Sequence, residues 1–256
     1  MRIVRIETTS GPRFGVIEGT EVALLDGAPF AGDARPTGER APLDEDRLLA
    51  PVTPTTIFAV GRNYAEHAKE MGLELGADPS VFIKPLSSLL DPGGAVILPP
   101  EDLSQEVQHE VELTVVIGTT ARNVTVEDAL THVYGYTIAN DVSARDLQRR
   151  DAQVIRAKGF DTFCPTGPWI ETELDPSQRP IRCLVNDEVR QDGTTADLIF
   201  DVPTLVASIS RWAMLTPGDV ILTGSPSGTG SLHAGDHVAL EVDGIGTLRH
   251  TVRASG

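Results

Sequence analysis

Residues 109–146 read HEVELTVVIGTTARNVTVEDALTHVYGYTIANDVSARD. Val111, Leu113, Val115 and Ile117 alternate with Glu110, Glu112, Thr114 and Val116, the period-2 pattern of a half-buried strand. Residues i and i+2 of a strand project to one face with Cα atoms roughly 6.6 Å apart. Glu110 and Glu112 can therefore bend their carboxylates onto one ion. Gly118 ends the strand, Val126 to Val133 suits a short returning helix, and YGYTIAND suits a second strand with Asp141 near its exit. Three oxygen ligands without Cys or His suit a hard cation, Mg²⁺ or Mn²⁺, that keeps positions open for water and substrate. Taken alone, Glu-x-Glu is also the ordinary solvated face of a strand, so the rest of the chain has to decide.

The 256 residues allow one large domain, or one with a small appendage. A hydrophobic content of 40% with 23% charged residues is that of a soluble globular protein. The formal net charge of −16 opposes binding to nucleic acid or to anionic membranes. Only three lysines occur, Lys69, Lys84 and Lys158. Two cysteines, Cys164 and Cys183, are too few for a disulfide framework. No signal peptide is recognisable and no apolar run approaches ~20 residues, so a reduced, cytoplasmic protein is expected.

Residues 1–25 suggest three short strands with turns at SGPR and EGTE, and the Gly/Pro-rich residues 26–54 suggest a linker. The expected division is a small β-rich module over 1–50 and a main domain over 51–256. TIFAV is a buried strand ended by Gly61, and NYAEHAKEM has helical composition, with Asn63 and Glu66 placed for a capping box. On that helix His67 and Glu70 stand at i and i+3 and share a face. A carboxylate beside an imidazole raises its basicity and fixes its tautomer, as a general base requires. A surface pair worth a few tenths of a kcal/mol has the same spacing. GLELGADPS (72–80) is then a surface loop or a lid.

VFIKP is a strand with Lys84 at its mouth. Arg145 to Arg156 suit a solvated charged helix, and Lys158, before Gly159, is expected in a Gly/Pro-shaped loop rather than on a helix face. IRCLVNDEVRQDGTTADLIF suggests a hairpin turning at Asn186-Asp187. VPTLVASISRWAML suggests an amphipathic helix stopped by Pro217-Gly218, and DVILTGSPSGTG a strand entering a glycine-rich loop. The exposed N–H groups of such a loop can hold a carboxylate. It lacks the lysine and spacing of a P-loop, which excludes a nucleotide site. His233, His237 and His250 are expected on turns or strand surfaces in structural roles.

Together, AVGRNYAEHAKEMG (59–72), FIKP (82–85), HEVELTVVIG (109–118), GYTIANDVSARDLQ (135–148), KGFDTFCPTGP (158–168), NDEVRQDGTTADLIF (186–200) and PGDVILTGSPSGTG (217–230) resemble the fumarylacetoacetate hydrolase family. The resemblance spans most of 57–230 in the family's order. It implies a β-rich α+β fold, a roll of mixed β-sheets behind a small N-terminal β module, usually paired as a homodimer. It also implies Glu110, Glu112 and Asp141 as ligands of Mg²⁺ or Mn²⁺, and His67 with Glu70 as the catalytic pair on a lid helix. Lys158 would face the metal site, and Arg62, Gln148 and the Thr223–Gly224–Ser225 turn would contact substrate. Ser225 and Ser227 stand where the family often has Thr and Ala, and His109 where it often has Tyr.

The implied chemistry is cleavage of a C–C bond in a 2-oxo (2,4-dioxo) acid through an enolate stabilised by the metal. An acylpyruvate hydrolase is expected, with oxaloacetate decarboxylase and 2-hydroxyhepta-2,4-diene-1,7-dioate isomerase as alternatives from the same intermediate. A catalytically silent, metal-stabilised scaffold would be expected to have lost His67, Glu70 or Lys158. All three are present.

Overall fold

The computed structural model describes residues 1–256 apart from 33, 71 and 73–75. The strand expected around the glutamates spans Val111–Ile117, and all seven of its residues are buried. The expectation of one solvated face is therefore corrected. The strand pairs antiparallel with Val133–Asn140 on one side and Val220–Leu222 on the other. Val111, Leu113, Val115 and Ile117 fill one core, and Val116 points into a second on the opposite face. Each fully buried Val, Leu or Ile contributes about 1.5–3 kcal/mol, so the strand anchors the molecule.

Outward from this centre runs a mixed sheet, twelve-stranded among the described residues. On one side Val220–Leu222 leads, by parallel pairing, to Ile57–Gly61 and then to Ser80–Lys84. On the other, Val133–Asn140 leads to Cys164–Glu171 and then to Arg2–Thr8 through Arg2↔Glu171 and Ile3↔Ile170. The N-terminal strands Arg2–Thr8, Gly11–Glu18 and Glu21–Leu25 thus extend the main sheet. A second sheet of five strands places Glu188–Thr194, Pro180–Val185, His237–Val242, Gly246–Arg253 and Ala95–Ile97 side by side. It closes over the core that contains Leu113, Ile181, Leu240 and Leu248. The result is the expected β-rich α+β roll, and no described helix is long and apolar enough to cross a membrane.

Several local expectations change in this setting. The linker over 26–54 contains an edge strand, Pro36–Pro42, paired with Glu21–Leu25. An edge strand tolerates proline because one row of its N–H groups needs no partner. Val126 to Val133 holds only a 3₁₀ turn, Ala129–His132. The charged helix is broken into α2 (Arg145–Arg150) and α3 (Ile155–Lys158), and Lys158 ends α3 rather than lying in a loop. The amphipathic helix α4 covers Val202–Ser210 and stops well before Pro217. Its N-cap Asp201 accepts from the Thr204 N–H. The hairpin turn does fall at Asn186-Asp187, where φ angles of 52° and 64° suit a type I′ turn.

Helix α1 covers Ala65–Glu70. Asn63 does not cap it. Its amide donates to the carbonyls of Phe200 and Thr223 and accepts from the Phe200 N–H, tying three distant segments together. Residues 73–75 of the connection over 72–80, expected as a surface loop or a lid, lie outside the described residues.

Candidate active site

Strand register assembles the acidic cluster. Val111 pairs with Asn140, and the Asp141 N–H donates to the Glu110 carbonyl at 2.9 Å. Asp141 therefore lies opposite Glu110, while the two-residue period puts Glu112 on the same face as Glu110. One carboxylate oxygen from each of the three lies within 4.8 Å of the others, and all three residues are buried.

Buried carboxylates at this spacing need compensation. Glu110 accepts from the Arg145 guanidinium and from Lys158 Nζ at 2.6 Å. Asp141 accepts from Lys158 Nζ and Lys84 Nζ, each at 2.6 Å. Burial alone would raise the Glu110 pKa, but Arg145 and Lys158 beside it hold the carboxyl well below the usual range. Glu112 has no ion-pair partner among the described residues; it accepts from the Gly224 N–H at 2.6 Å. Burial, with Asp141 and Glu110 close by, pushes its carboxyl well above the usual range. Lys158 is also fully buried, and burial opposes its charge, yet Asp141 and Glu110 keep its pKa above the ordinary value.

These features fit a divalent cation. The donors are all hard oxygens, and Glu112 is a buried carboxylate still short of positive charge. Glu110, Glu112 and Asp141 are the residues that would hold the ion.

Helix α1 sets the expected pair against this cluster. His67 Nδ1 faces Glu70 Oε2 at 3.0 Å, and Nε2 faces Glu110 Oε1 at 3.3 Å. Burial works against protonation of the ring, but Glu110 and Glu70 outweigh it and raise the His67 pKa. Glu70 is itself held by the Gly228 N–H at 3.3 Å, linking α1 to the glycine-rich loop.

A cavity of about 160 Å³ opens on this constellation, and His67, Glu110, Glu112, Asp141 and Lys158 line it together with Arg62, Gln148 and Ser225. Arg62 adopts a φ of 62°, uncommon for a residue with a side chain. The Gln148 Oε1 accepts from Arg145, which leaves its amide nitrogen without a protein partner among the described residues. Thr223 and Gly224 support the site without lining the cavity. The Thr223 hydroxyl donates to the Leu113 carbonyl, and Gly224, at φ 102°, lies where a Cβ would come within 2.8 Å of the Asn63 Cβ. The glycine-rich loop does hold carboxylates, and they are the protein's own, Glu112 and Glu70.

Two residues central to this electrostatics escaped the sequence reading. Lys84 has a fully buried side chain, and its Nζ also donates to the Lys158 carbonyl at 2.5 Å. The scarcity of lysine was the available signal, since two of only three are buried here. Arg145 was assigned to a solvated helix but is 1% exposed. Nothing in the local pattern separates it from the exposed Arg149, Arg150 and Arg156. His250 is likewise buried rather than on a strand surface. Its Nε2 accepts from the Asn140 amide, whose oxygen accepts the Glu110 N–H.

Residues 56–253 match the family described as Fumarylacetoacetate (FAA) hydrolase C-terminal, and residues 1–51 match Rv2993c-like, N-terminal. The structure of a 5-carboxymethyl-2-hydroxymuconate delta-isomerase from Mycobacterium smegmatis is 44% identical, with a TM-score of 0.92 and 100% of both chains covered. The human mitochondrial oxaloacetate tautomerase FAHD2A is 43% identical over 82% of this chain and 71% of its own length. A fumarylpyruvate hydrolase from Pseudomonas aeruginosa, solved with Mn²⁺ and pyruvate, is 31% identical over 82% of this chain and 93% of its own, with a TM-score of 0.74.

Proposed function

Because the chain belongs to the fumarylacetoacetate hydrolase family, we propose that it hydrolyses a C–C bond of a small 2,4-dioxo acid, an acylpyruvate-type reaction. One observation carries the reading: the Glu70–His67 pair faces a buried three-carboxylate cluster across one small cavity. A divalent cation, Mg²⁺ or Mn²⁺, held by Glu110, Glu112 and Asp141 supplies Lewis acidity toward the oxygens of a 2-oxo acid.

The protein's own groups handle the protons. Glu70 orients the His67 ring, and Nε2, on the cavity side, takes a proton from water as its hydroxyl adds to C4 of the substrate. The C3–C4 bond then breaks and its electron pair passes into the 2-oxo fragment as an enolate. Lys158 sits within reach to offset that charge. His67 returns the proton to C3, giving pyruvate, and the other fragment leaves as a carboxylic acid. Arg62, Gln148 and Ser225 supply donors for the substrate's remaining oxygens.

A second reading is proton transfer without cleavage, the tautomerisation or isomerisation of a 2-oxo diacid such as oxaloacetate. The small cavity favours it, since about 150 Å³ holds a ligand the size of benzene, as does the similarity to a protein named an oxaloacetate tautomerase. His67 then moves a proton between carbon and oxygen.

Pyruvate release from acetylpyruvate, and decay of the enol absorbance of oxaloacetate, each with and without EDTA, separate the two readings. EDTA-sensitive pyruvate release supports hydrolysis. Enol decay alone supports tautomerisation. Failure of both with Mg²⁺ and with Mn²⁺ refutes both and leaves the scaffold reading. A homodimer in the cytoplasm belongs to the same proposal; light scattering that returned the monomer mass of 27.4 kDa would refute the dimer.

A further inference from the structure

Gln191 lies on the strand Glu188–Thr194 of the five-stranded sheet, is wholly buried, and has no place in the chemistry described so far. Its Oε1 accepts from the Val111 N–H at 3.2 Å and from His109 Nδ1 at 2.8 Å. Its Nε2 donates to the Pro226 carbonyl at 2.7 Å and to Ser225 Oγ at 2.8 Å. A primary amide offers two donors and two acceptor sites, so its capacity is fully used. The amide's orientation follows from the two backbone partners. Val111 N–H can only donate and the Pro226 carbonyl can only accept, so a flipped amide would lose both bonds.

That fixed polarity determines what Ser225 can do. Its Oγ has to accept from Gln191, and its single hydroxyl proton has no protein acceptor among the described residues. Ser225 lines the cavity. We propose that Gln191 is a positioning residue: by occupying one acceptor site of Ser225 Oγ and refusing its proton, it leaves that proton for the cavity and favours ligands that present an acceptor oxygen there, such as the carboxylate of a 2-oxo acid, over those that present an N–H. The same amide holds Val111, between Glu110 and Glu112, so one buried side chain ties the acidic strand to the substrate loop. The inference rests on the 2-oxo acid reading above and deepens it.

The test uses full-length protein with Mn²⁺ and calorimetric binding of pyruvate and of pyruvamide, which carries an NH₂ in place of one carboxylate oxygen. Ser225→Ala should weaken pyruvate binding about 10- to 100-fold, the value of one hydrogen bond to a charged acceptor, and Ser225→Thr should keep it. Gln191→Glu turns the amide donor into an acceptor that captures the Ser225 proton. It should weaken pyruvate binding to a similar degree and lower the pyruvate-to-pyruvamide ratio. The double variant Gln191→Glu/Ser225→Ala should show the same pyruvate-to-pyruvamide ratio as Ser225→Ala alone, because any effect of Gln191→Glu through Val111 acts on both ligands.

A further fall of that ratio in the double variant, or pyruvate binding unchanged in Ser225→Ala, overturns the proposal. If Gln191→Glu fails to fold, Gln191→Met, which removes the amide's donors without adding charge, should lower the pyruvate-to-pyruvamide ratio, and an unchanged ratio overturns the proposal. Wild-type protein that binds no pyruvate with Mn²⁺ present refutes the underlying 2-oxo acid reading instead.

Discussion

Lys84→Met removes one of the two cations that hold Asp141. Lys84 Nζ lies 2.6 Å from Asp141 Oδ1 and 2.5 Å from the Lys158 carbonyl, with its side chain fully buried. Methionine retains most of the chain volume but leaves one Asp141 oxygen and one carbonyl without a donor. Breaking a buried ion pair from one side costs about 3–5 kcal/mol. Asp141 keeps Lys158 at 2.6 Å, which places the expected loss at the lower end, about 3 kcal/mol. For a chain of this length each kcal/mol moves Tm by about 2–4 °C, so the variant should melt about 6–12 °C below wild type in EDTA. The same substitution leaves the carboxylate cluster one charge more negative, so a divalent cation should recover more stability in the variant than in wild type through binding linkage. Thermal melts of both proteins, with EDTA and with saturating Mn²⁺, measure both effects. A variant melting within about 2 °C of wild type in EDTA, or one that gains less than wild type from Mn²⁺, would refute the charge compensation described for the site.

Glu112→Gln mimics the protonated carboxyl that burial and the neighbouring Asp141 and Glu110 favour. It should melt near wild type while losing metal binding by more than about 100-fold, beyond the cost of losing an outer partner; calorimetry with Mn²⁺ checks this. Glu110→Gln should abolish turnover as well, but with a stability loss, because it strips Arg145 and Lys158 of a partner. His67→Ala should lower acylpyruvate hydrolysis by about 10²–10⁴-fold and retain decarboxylation of oxaloacetate, which needs no attacking water; equal loss of both in a pyruvate-release assay would remove the water-activating role. Burial lowers the His250 pKa to about 4, so the folded state favours the neutral ring. The unfolded chain takes up the proton first, near 6.5, and stability is lost as pH falls from there toward 4, by about 3 kcal/mol. Urea midpoints should show this loss in wild type and a flatter profile in His250→Gln, and parallel profiles would refute it.

Much of the fold was legible in local pattern. Alternation marked Val111–Ile117, paired turn residues marked Asn186-Asp187, and Gly61 and Pro85 marked strand ends, because strand period and left-handed turn angles are short-range properties of the chain. The departures share one cause. Asn63 has the spacing of a cap, yet Phe200 and Thr223 claim its amide from more than a hundred residues away. Arg145 sits in a run that looks solvated, yet Glu110 draws it inside. Gln191 carries no motif, and its meaning comes only from the strand and loop packed on either side of it.

From the sequence alone come the residue types of the site, the spacing that puts Glu110 and Glu112 on one face, and the i, i+3 step that joins His67 to Glu70. Tertiary structure decided that Asp141 lies opposite Glu110, that Lys84 and Arg145 are buried among the carboxylates, and that Glu112 is the one left short of a cation. Spacing along a strand or helix follows from backbone geometry repeated every few residues. Burial and charge state follow from which distant segments pack together, and no window of the chain contains that information.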